Sequence, residues 1–407
     1  MLNPSSDRLH GLDALRAFAL LLGVLLHASV NFVMPPGAWA VGTTTPSAPL
    51  AWLTYYLHSF RLEIFFLMAG FFGALVVRRR GATAYAWDRV RRILLVFVVA
   101  VFPMRFVLSA LWIAGGRATG WLQLPPLIEW LPWYVLAAGA LVLETSLTHL
   151  WFLYYLFWIS VLFLFLRWLA ERFSTRLTSM NALDPALEHA IAGRAAPIWL
   201  ALAATPLLVM MQGVDVDTPD RSFLWHGPVL LLYGGIFSLG WWLFHHAALL
   251  DVFASRWRST LILGIATSFG AGALVALRVG GGEWAAQHPA TLRWASSFGT
   301  SLTMMLSVTG WTGGFVRWFA QPSPAIRYVA DASYWIYIVH LPVVVALQVL
   351  LVRLAWPSWL QLPLVIAATM ILLLGVYHVG VRYTWVGAWL NGRRHTRAGR
   401  AGIRHTF

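Results

Sequence analysis

The sequence predicts an all-α polytopic membrane protein, built as a helical bundle of about ten transmembrane helices. Hydrophobic residues make up 59% of the 407-residue chain, and its mean hydropathy is +0.70. Only 11% of the residues are charged, whereas soluble domains usually carry about a quarter. Several apolar runs approach or exceed the roughly 20 residues that a helix needs to cross a bilayer. Most of the chain is therefore expected to lie in a membrane.

Hydropathy divides the chain into ten predicted spans, each an apolar run between more polar segments. In order, they lie at about 12–33, 51–77, 90–113, 149–170, 196–212, 227–246, 259–279, 294–316, 334–353 and 360–383. The first run resembles a secretory signal ending at Ala38–Ala40, but it is long and contains charges, so we interpret it as an uncleaved helix. The segment 124–147 is half apolar and broken by prolines. We expect it to be re-entrant or interfacial, with an eleventh span as the less favoured alternative.

All 29 basic residues are arginine, and their distribution predicts the orientation of the chain. With both termini in the cytoplasm, 21 arginines fall on the inner side, 5 in outer loops and 3 within spans. The inner set includes the triplet 78–80, Arg176 and the basic segment 392–405. Because cytoplasmic segments are enriched in arginine, this split predicts a multi-pass protein with both termini in the cytoplasm.

The same distribution predicts the domain organisation and the general partners. Residues 1–385 are expected to form a single integral membrane domain, and 386–407 a basic cytoplasmic tail. Membrane topology explains the net charge of +14 better than nucleic-acid binding does, so we expect membrane lipids and no nucleic acid as partners.

The first span carries three polar side chains along one face. Arg16 and His27 are eleven residues apart, which brings a helix back to within roughly 20° of its starting direction and separates them by about 16 Å. Asp13 precedes Arg16 by one turn and shares its face. Because a charge inside a bilayer usually faces a cavity or a partner, we expect this face to line a path through the protein. His27 is the candidate for proton transfer, since histidine titrates near neutral pH.

The second span repeats this pattern. His58 and Arg61 are one turn apart and are predicted to share a face, at about the depth of His27. Glu63 is deeper and points elsewhere. Arg61 and Glu63 either satisfy a neighbouring helix or contact a substrate, and the sequence leaves both interpretations open.

The entrance to the third span contains Arg89 and Arg92. At a spacing of three residues they would share a helix face and could hold phosphates. Spacing alone favours an ordinary cytoplasmic anchor.

Two further histidines begin later spans. His149 lies at the outer start of the fourth span, among interfacial aromatic residues. Asp331 or Ser333 is predicted to be the N-cap of a helix that carries His340 about two turns later. A packing role for His340 is equally compatible with the sequence.

Several kinds of chemistry are not supported. The chain has no cysteine, which excludes disulfides, thiolate metal sites and a cysteine nucleophile. Its 13 histidines form no HExxH or similar ligand spacing, so no metal site is expected. Neither GxSxG nor a P-loop occurs. The 24 tryptophans could stack on sugars, but in a membrane protein that signal is weak.

Five stretches together resemble the acyltransferase-3 family of integral membrane acyltransferases. They are LDALRAFALLLGVLLH, HSFRLEIFFLMAGFF, the Arg89-Val-Arg-Arg92 sequence, HLWFL and ASYWIYIVHLP. The similarity is greatest to the branch that decorates osmoregulated periplasmic glucans, where succinyl transfer is the typical activity.

The resemblance implies roles for particular residues. The family's arginine–ten residues–histidine signature falls on Arg16 and His27, with His27 as the catalytic histidine. Its Arg-x-x-Arg falls on Arg89 and Arg92, which it assigns to the acyl donor. His58, Arg61, His149 and His340 match recurrent positions, and Glu63 has no place in the pattern. The co-substrate implied is acyl-CoA, most simply succinyl-CoA, with no bound cofactor and with a periplasmic glycan as acceptor. The resemblance also implies a multi-pass protein of the bacterial inner membrane.

These implications give a mechanistic hypothesis. Arg89, Arg92 and Arg16 would guide the donor through a tunnel to His27, which would deprotonate a sugar hydroxyl, and His58 or Arg61 would steady the oxyanion. An acyl-histidine intermediate is a variant. The alternatives are O-acetylation of an exopolysaccharide or lipopolysaccharide, and transport of a glycan or solute through a polar pathway.

Overall fold

Helices form almost all of the regular structure. The computed structural model describes residues 6–129, 131–143, 146–173, 180–354 and 356–396, and these ranges contain no β-strand. The α-helices are α1 (Ser6–Val30), α2 (Ala48–His58), α3 (Arg61–Arg80), α4 (Ala82–Arg89), α5 (Leu95–Thr119), α6 (Pro126–Glu129), α7 (Trp133–Leu143), α8 (Trp151–Phe173), α9 (Met180–Ala192), α10 (Ala196–Met210), α11 (Gly227–His245), α12 (Leu249–Gly280), α13 (Glu283–Gln287), α14 (Pro289–Trp318), α15 (Pro324–Leu351), α16 (Ser358–Val376) and α17 (Trp385–Asn391). Short 3₁₀ turns lie at Thr148–Leu150 and Val352–Leu354, and π-helical turns at Val90–Leu94 and Tyr377–Val381.

The chain is a multi-pass membrane protein. Within the described ranges, 8 helices are long and apolar enough to cross a bilayer. They are His10–Val30, Ala48–Arg80, Ala82–Thr119, Thr148–Phe173, Gly227–His245, Leu249–Gly280, Pro324–Leu354 and Ser358–Val381. Each coincides with one of the predicted spans, which confirms the predicted fold class.

The other two predicted spans are also helical but differ in character. The span 196–212 corresponds to α10, which has 15 residues and meets the end of α9 at an angle of 109°. The span 294–316 lies in α14, a helix of 30 residues whose buried face is rich in serine and threonine. α14 packs along α12 and α10, so its polar face meets protein rather than lipid.

The second span is broken at mid-depth. Phe60 has φ −143° and ψ −19°, outside the helical region, and separates α2 from α3. The Ser59 hydroxyl donates to the carbonyl oxygen of Tyr56 over 2.8 Å, in competition with the helix backbone. The expectation that His58 and Arg61 lie one turn apart on a single helix is therefore corrected. They belong to two helices that meet at the break.

The segment 124–147 forms the short helices α6 and α7. α7 has 11 residues, which reach about 16 Å and cannot cross a hydrocarbon core of about 30 Å. It packs against α5. Within the part of the segment that the structure describes, this favours the expected re-entrant or interfacial segment over an eleventh span.

Close helix contacts hold the centre of the bundle together. α3 and α11 cross where Gly70 faces the backbone of Phe237 and Gly240 faces the backbone of Leu67. A Cβ on either glycine would overlap the facing backbone. Small residues thus set the distance between these two helices, as is common in membrane bundles.

The start of the predicted basic tail packs on the bundle. Trp389 on α17 donates to the carbonyl oxygen of Arg91 over 2.6 Å, and Arg393 forms an ion pair with Asp331 at 2.6 Å. Residues 397–407 of that tail, like Arg176, lie outside the described residues.

Candidate active site

A large cavity opens at one end of the bundle, which we call the loop end because the loops 31–47, 120–125 and 211–226 form it. The cavity has a volume of about 1040 Å³, enough for several sugar units. Five of the predicted site residues lie on its wall. They are His27, His58, Arg61, His149 and His340.

Three of these histidines form a row. The ring centroids of His27 and His340 are 5.2 Å apart, as are those of His340 and His149. His340 donates from Nδ1 to the carbonyl oxygen of Tyr337 over 2.7 Å, and His149 donates from Nε2 to that of Ile338 over 3.0 Å. Because a carbonyl oxygen only accepts, these bonds determine which ring nitrogen carries the proton.

The backbone of α1 makes room for this row at Gly23. A Cβ at that position would lie 3.0 Å from Nη1 of Arg61 and 3.5 Å from Nε2 of His340. The Arg61 guanidinium and the His340 ring thus meet against the same turn of α1. His340 Nε2 is buried and forms no hydrogen bond with the described residues.

His27 is held by packing rather than by a carboxylate. Its ring is nearly parallel to that of Trp39, with an interplanar angle of 7° and centroids 5.9 Å apart. Nδ1 of His27 is buried and has no hydrogen-bond partner among the described residues. The imidazole is therefore positioned without being committed to a protein acceptor.

His58 has hydrogen bonds at both ring nitrogens. Nδ1 lies 3.1 Å from Oδ2 of Asp215, and Nε2 lies 3.1 Å from the hydroxyl oxygen of Thr218. Asp215 and Thr218 come from the loop 211–226, and both line the cavity. His58 and Asp215 are 19% and 22% exposed, so both can be reached from the cavity.

Arg61 is partly buried and Glu63 is fully buried, and the two charged side chains have different surroundings. Arg61 lines the cavity, its Nε has no hydrogen bond, and no described carboxylate forms an ion pair with it. Glu63 is 0% exposed and lies behind the wall, where both carboxyl oxygens lack hydrogen bonds to described residues. A partly buried cation at the edge of a cavity, with no described carboxylate at ion-pair distance, is a candidate site for an anionic group.

Comparison with known proteins identifies the chain. Residues 9–378 match the acyltransferase domain of the acyltransferase-3 family. The chain belongs to this family. The chain is 24% identical over 366 residues to "Glucans biosynthesis protein C" of Escherichia coli strain SMS-3-5. This alignment covers 84% of the chain and 83% of that protein. The same figures hold for the proteins of that name from Escherichia coli O81 strain ED1a and Shigella dysenteriae serotype 1. No solved structure matches.

Four other predicted residues of the acyltransferase, Asp13, Arg16, Arg89 and Arg92, lie at the opposite end, which we call the arginine end after Arg78–Arg80. There Arg16 forms an ion pair with Asp13 at 3.2 Å, and these side chains are 39% and 48% exposed. Arg89 and Arg92 both contact the carboxylate of Asp88, at 2.9 and 3.4 Å. The two arginines therefore contact one carboxylate, although a π-helical turn begins between them at Val90 and interrupts the single α-helix that their spacing assumed.

Arg92 also has a structural partner in the acyltransferase. Its Nε and Nη2 donate to the carbonyl oxygen of Leu390 at the end of α17, over 3.2 and 2.8 Å. The Leu390 carbonyl oxygen and the Asp88 carboxylate thus hold Arg92 in place. Among the described residues, Arg89 contacts Asp88 and the ring of Tyr85.

The predicted helix start near Asp331 and Ser333 is wrong. α15 begins at Pro324, and Ser323 caps it by accepting a hydrogen bond from the backbone N–H of Ile326 over 3.4 Å. Serine followed by proline is a strong N-terminal signal, and it precedes the predicted cap by two turns. Ser333 instead lies within α15, where its hydroxyl donates to Ala330 O over 2.8 Å.

The cavity does not reach the arginine end. Its innermost wall on α1 is formed by Ala19 and Leu20, about one helical turn beyond Arg16. None of Asp13, Arg16, Arg89, Arg92 and Ser333 lines it. The continuous tunnel expected from the sequence is therefore not formed in this conformation, because apolar side chains of α1 make the floor.

Sequence reasoning missed Trp39, Gln348 and Asp215. The signal for Asp215 was the acidic run DVDTPD at 215–220, which is unusual in so apolar a chain. Trp39 and Gln348 had no comparable signal.

As for metals, no three histidine or carboxylate side chains in the described ranges are grouped to hold an ion.

Proposed function

We propose that this acyltransferase moves a succinyl group from cytoplasmic succinyl-CoA to a hydroxyl of a periplasmic glucan. One observation carries the proposal: a single cavity wall joins the His27 imidazole to the Arg61 guanidinium, which forms no ion pair with a described carboxylate. An imidazole can transfer the proton in an acyl-transfer reaction. A guanidinium can bind an acyl group that ends in a carboxylate.

The orientation follows from the arginines. Arg78–Arg80, Arg89 and Arg92 gather at one end of the bundle, and such residues stay on the cytoplasmic side of a membrane. The loop end then faces the periplasm of a bacterial inner membrane. A donor from the cytoplasm and a glycan from the periplasm approach the cavity from opposite ends.

The donor site in this proposal is the arginine end. Coenzyme A carries several phosphates, and Arg89 with Arg92 offers two convergent guanidinium groups for them. Arg16 is partly exposed and lies one turn below the floor of the cavity, where it can guide the pantetheine arm. Transfer requires the floor at Ala19 and Leu20 to open when the donor binds.

Arg61 favours a dicarboxylic acyl group over an acetyl group. Placing a charged side chain within a bilayer costs about 2.5–3.5 kcal/mol on insertion scales. The free carboxylate of a succinyl group would pair with Arg61 and offset that cost. An acetyl group has no such carboxylate, so acetylation would leave the guanidinium unpaired.

Aromatic side chains support a sugar acceptor. Trp39, Trp112 and Trp121 all line the cavity, and the rings of Trp39 and Trp112 meet edge to face with centroids 5.0 Å apart. Asp217 and Asp220 add carboxylates to the same wall. Stacking faces beside hydrogen-bond acceptors suit a carbohydrate, and the relatives' name refers to the biosynthesis of glucans.

The test uses the purified protein in proteoliposomes with succinyl-CoA and unacylated bacterial periplasmic glucan. We expect release of free thiol and a glucan heavier by succinyl units, and we expect both to be lost in His27→Ala. Near wild-type transfer by His27→Ala would contradict the assignment. Movement of glucan across the membrane without acylation would support transport instead.

A further inference from the structure

The loop 211–226 brings a carboxylate and a hydroxyl to the two nitrogens of His58. The carboxylate of Asp215 accepts a hydrogen bond, so the ring proton lies on Nδ1. Nε2 is then an acceptor, and the Thr218 hydroxyl donates to it. A hydroxyl, an imidazole and a carboxylate thus form one hydrogen-bonded chain on the cavity wall.

This arrangement is held by the surrounding structure. Asp217 accepts hydrogen bonds from the backbone N–H groups of Gln212 and Gly213, over 2.8 and 2.6 Å. Arg278 on α12 donates to the carbonyl oxygen of Gly213 over 3.1 Å. The loop is therefore attached to the bundle immediately before Asp215.

His27 lacks the corresponding partner. No described carboxylate forms a hydrogen bond with its ring, which instead stacks on Trp39. A general base gains from a carboxylate that orients the imidazole and stabilises the imidazolium formed during the reaction. Of these two histidines, only His58 forms a hydrogen bond with a described carboxylate, that of Asp215.

We propose that His58, oriented by Asp215, is the general base that takes the proton of the acceptor hydroxyl, and that the Thr218 hydroxyl marks where that hydroxyl binds on Nε2. The inference rests on the proposed function, since it needs an acyl thioester. It goes further by assigning acceptor activation to a residue other than His27. His27 is left to contact the acyl group.

The proposed step balances as follows. The acceptor hydroxyl passes its proton to Nε2 of His58 while its oxygen bonds to the acyl carbonyl carbon. The carbon–sulfur bond of the thioester then breaks. The departing thiolate takes the proton from His58 and leaves as a free thiol. Asp215 stays ionised throughout and acts as a positioning residue.

Hydroxylamine separates this role from a structural one. Its amine attacks a thioester without a general base, whereas a sugar hydroxyl needs one. Each variant is assayed in proteoliposomes with succinyl-CoA and either unacylated glucan or hydroxylamine, and rates are corrected for the reaction in protein-free liposomes. The matched control is Asp184→Asn, since Asp184 lies 3.1 Å from Nε2 of His246 and lines no part of the cavity.

We expect Asp215→Asn and His58→Gln to lower glucan acylation by about 100-fold or more, and to lower hydroxamate formation by less than about tenfold. Asp215→Glu should recover part of the glucan activity, and Asp184→Asn should change neither rate. Glucan acylation within about threefold of wild type in Asp215→Asn, or equal loss of both products, would overturn the inference. Full activity of His27→Ala would instead overturn the proposed function.

Discussion

Trp39 and Gln348 lie 309 positions apart in the chain, yet the Trp39 indole N–H donates to Oε1 of Gln348 over 2.8 Å. The same amide group donates through Nε2 to the carbonyl oxygen of His27 over 3.0 Å and to Oδ1 of Asn31 over 3.1 Å. One buried side chain on α15 therefore joins the ring that stacks on His27 to the helix that carries His27.

We expect Gln348→Leu to lower turnover about 10- to 100-fold, because a small displacement of the Trp39–His27 stack misplaces the reacting group. It should also lower the free energy of unfolding by about 1–3 kcal/mol, since the Trp39 and Asn31 groups lose their partner. Turnover and thermal unfolding in detergent measure these two effects. Gln361→Leu is the control: Gln361 is buried and donates to Trp356 O over 2.6 Å, away from the cavity. If both variants keep full turnover, the stack is not needed for catalysis.

Arg61→Leu is expected to change donor preference. Removing the guanidinium deprives a succinyl carboxylate of its partner, which should lower the rate with succinyl-CoA about 10- to 100-fold. The rate with acetyl-CoA should fall much less, because an acetyl group carries no charge. The ratio of the two rates is measured in the same preparation, so that a general loss of folded protein cancels. An unchanged ratio would show that Arg61 does not recognise the acyl group.

Arg89→Ala is expected to weaken donor binding. Loss of one phosphate-binding guanidinium should raise KM for acyl-CoA about tenfold and leave kcat little changed. Arg80→Ala serves as the control, since Arg80 lies at the same end but outside the Arg89–Arg92 pair. Arg92→Ala is less informative, because Arg92 also holds Leu390. A lower kcat at unaltered KM for Arg89→Ala would remove Arg89 from the donor site.

Two glycine substitutions test the packing of the bundle. Gly70→Val should place its side chain against the backbone of Phe237 and destabilise the protein by about 1–3 kcal/mol or more. Gly234→Val on α11 meets open space and should be tolerated. Thermal unfolding of both variants in one detergent makes the comparison. Equal Tm values would mean that the α3–α11 contact does not depend on a small residue.

Much of the fold was predictable because the bilayer acts on each segment separately. Hydropathy located helices at all ten predicted spans. The break at Ser59–Phe60 was not predictable, since no proline or glycine marks it and polar residues such as His58, Ser59 and Arg61 also occur within unbroken helices. The start of α15 was misplaced because a polar pair inside a helix resembles a cap.

The sequence by itself determined which segments enter the membrane, and it supplied the family signature at Arg16 and His27. Both depend on the chemistry of neighbouring residues along the chain. Only the tertiary structure decided that Asp215 meets His58, 157 positions away, and that the inner arginines are separated from the cavity. The Asp215–His58 contact forms because the loop 211–226 folds against the break between α2 and α3. No local pattern of hydropathy or charge in the sequence specifies a contact between residues so far apart in the chain.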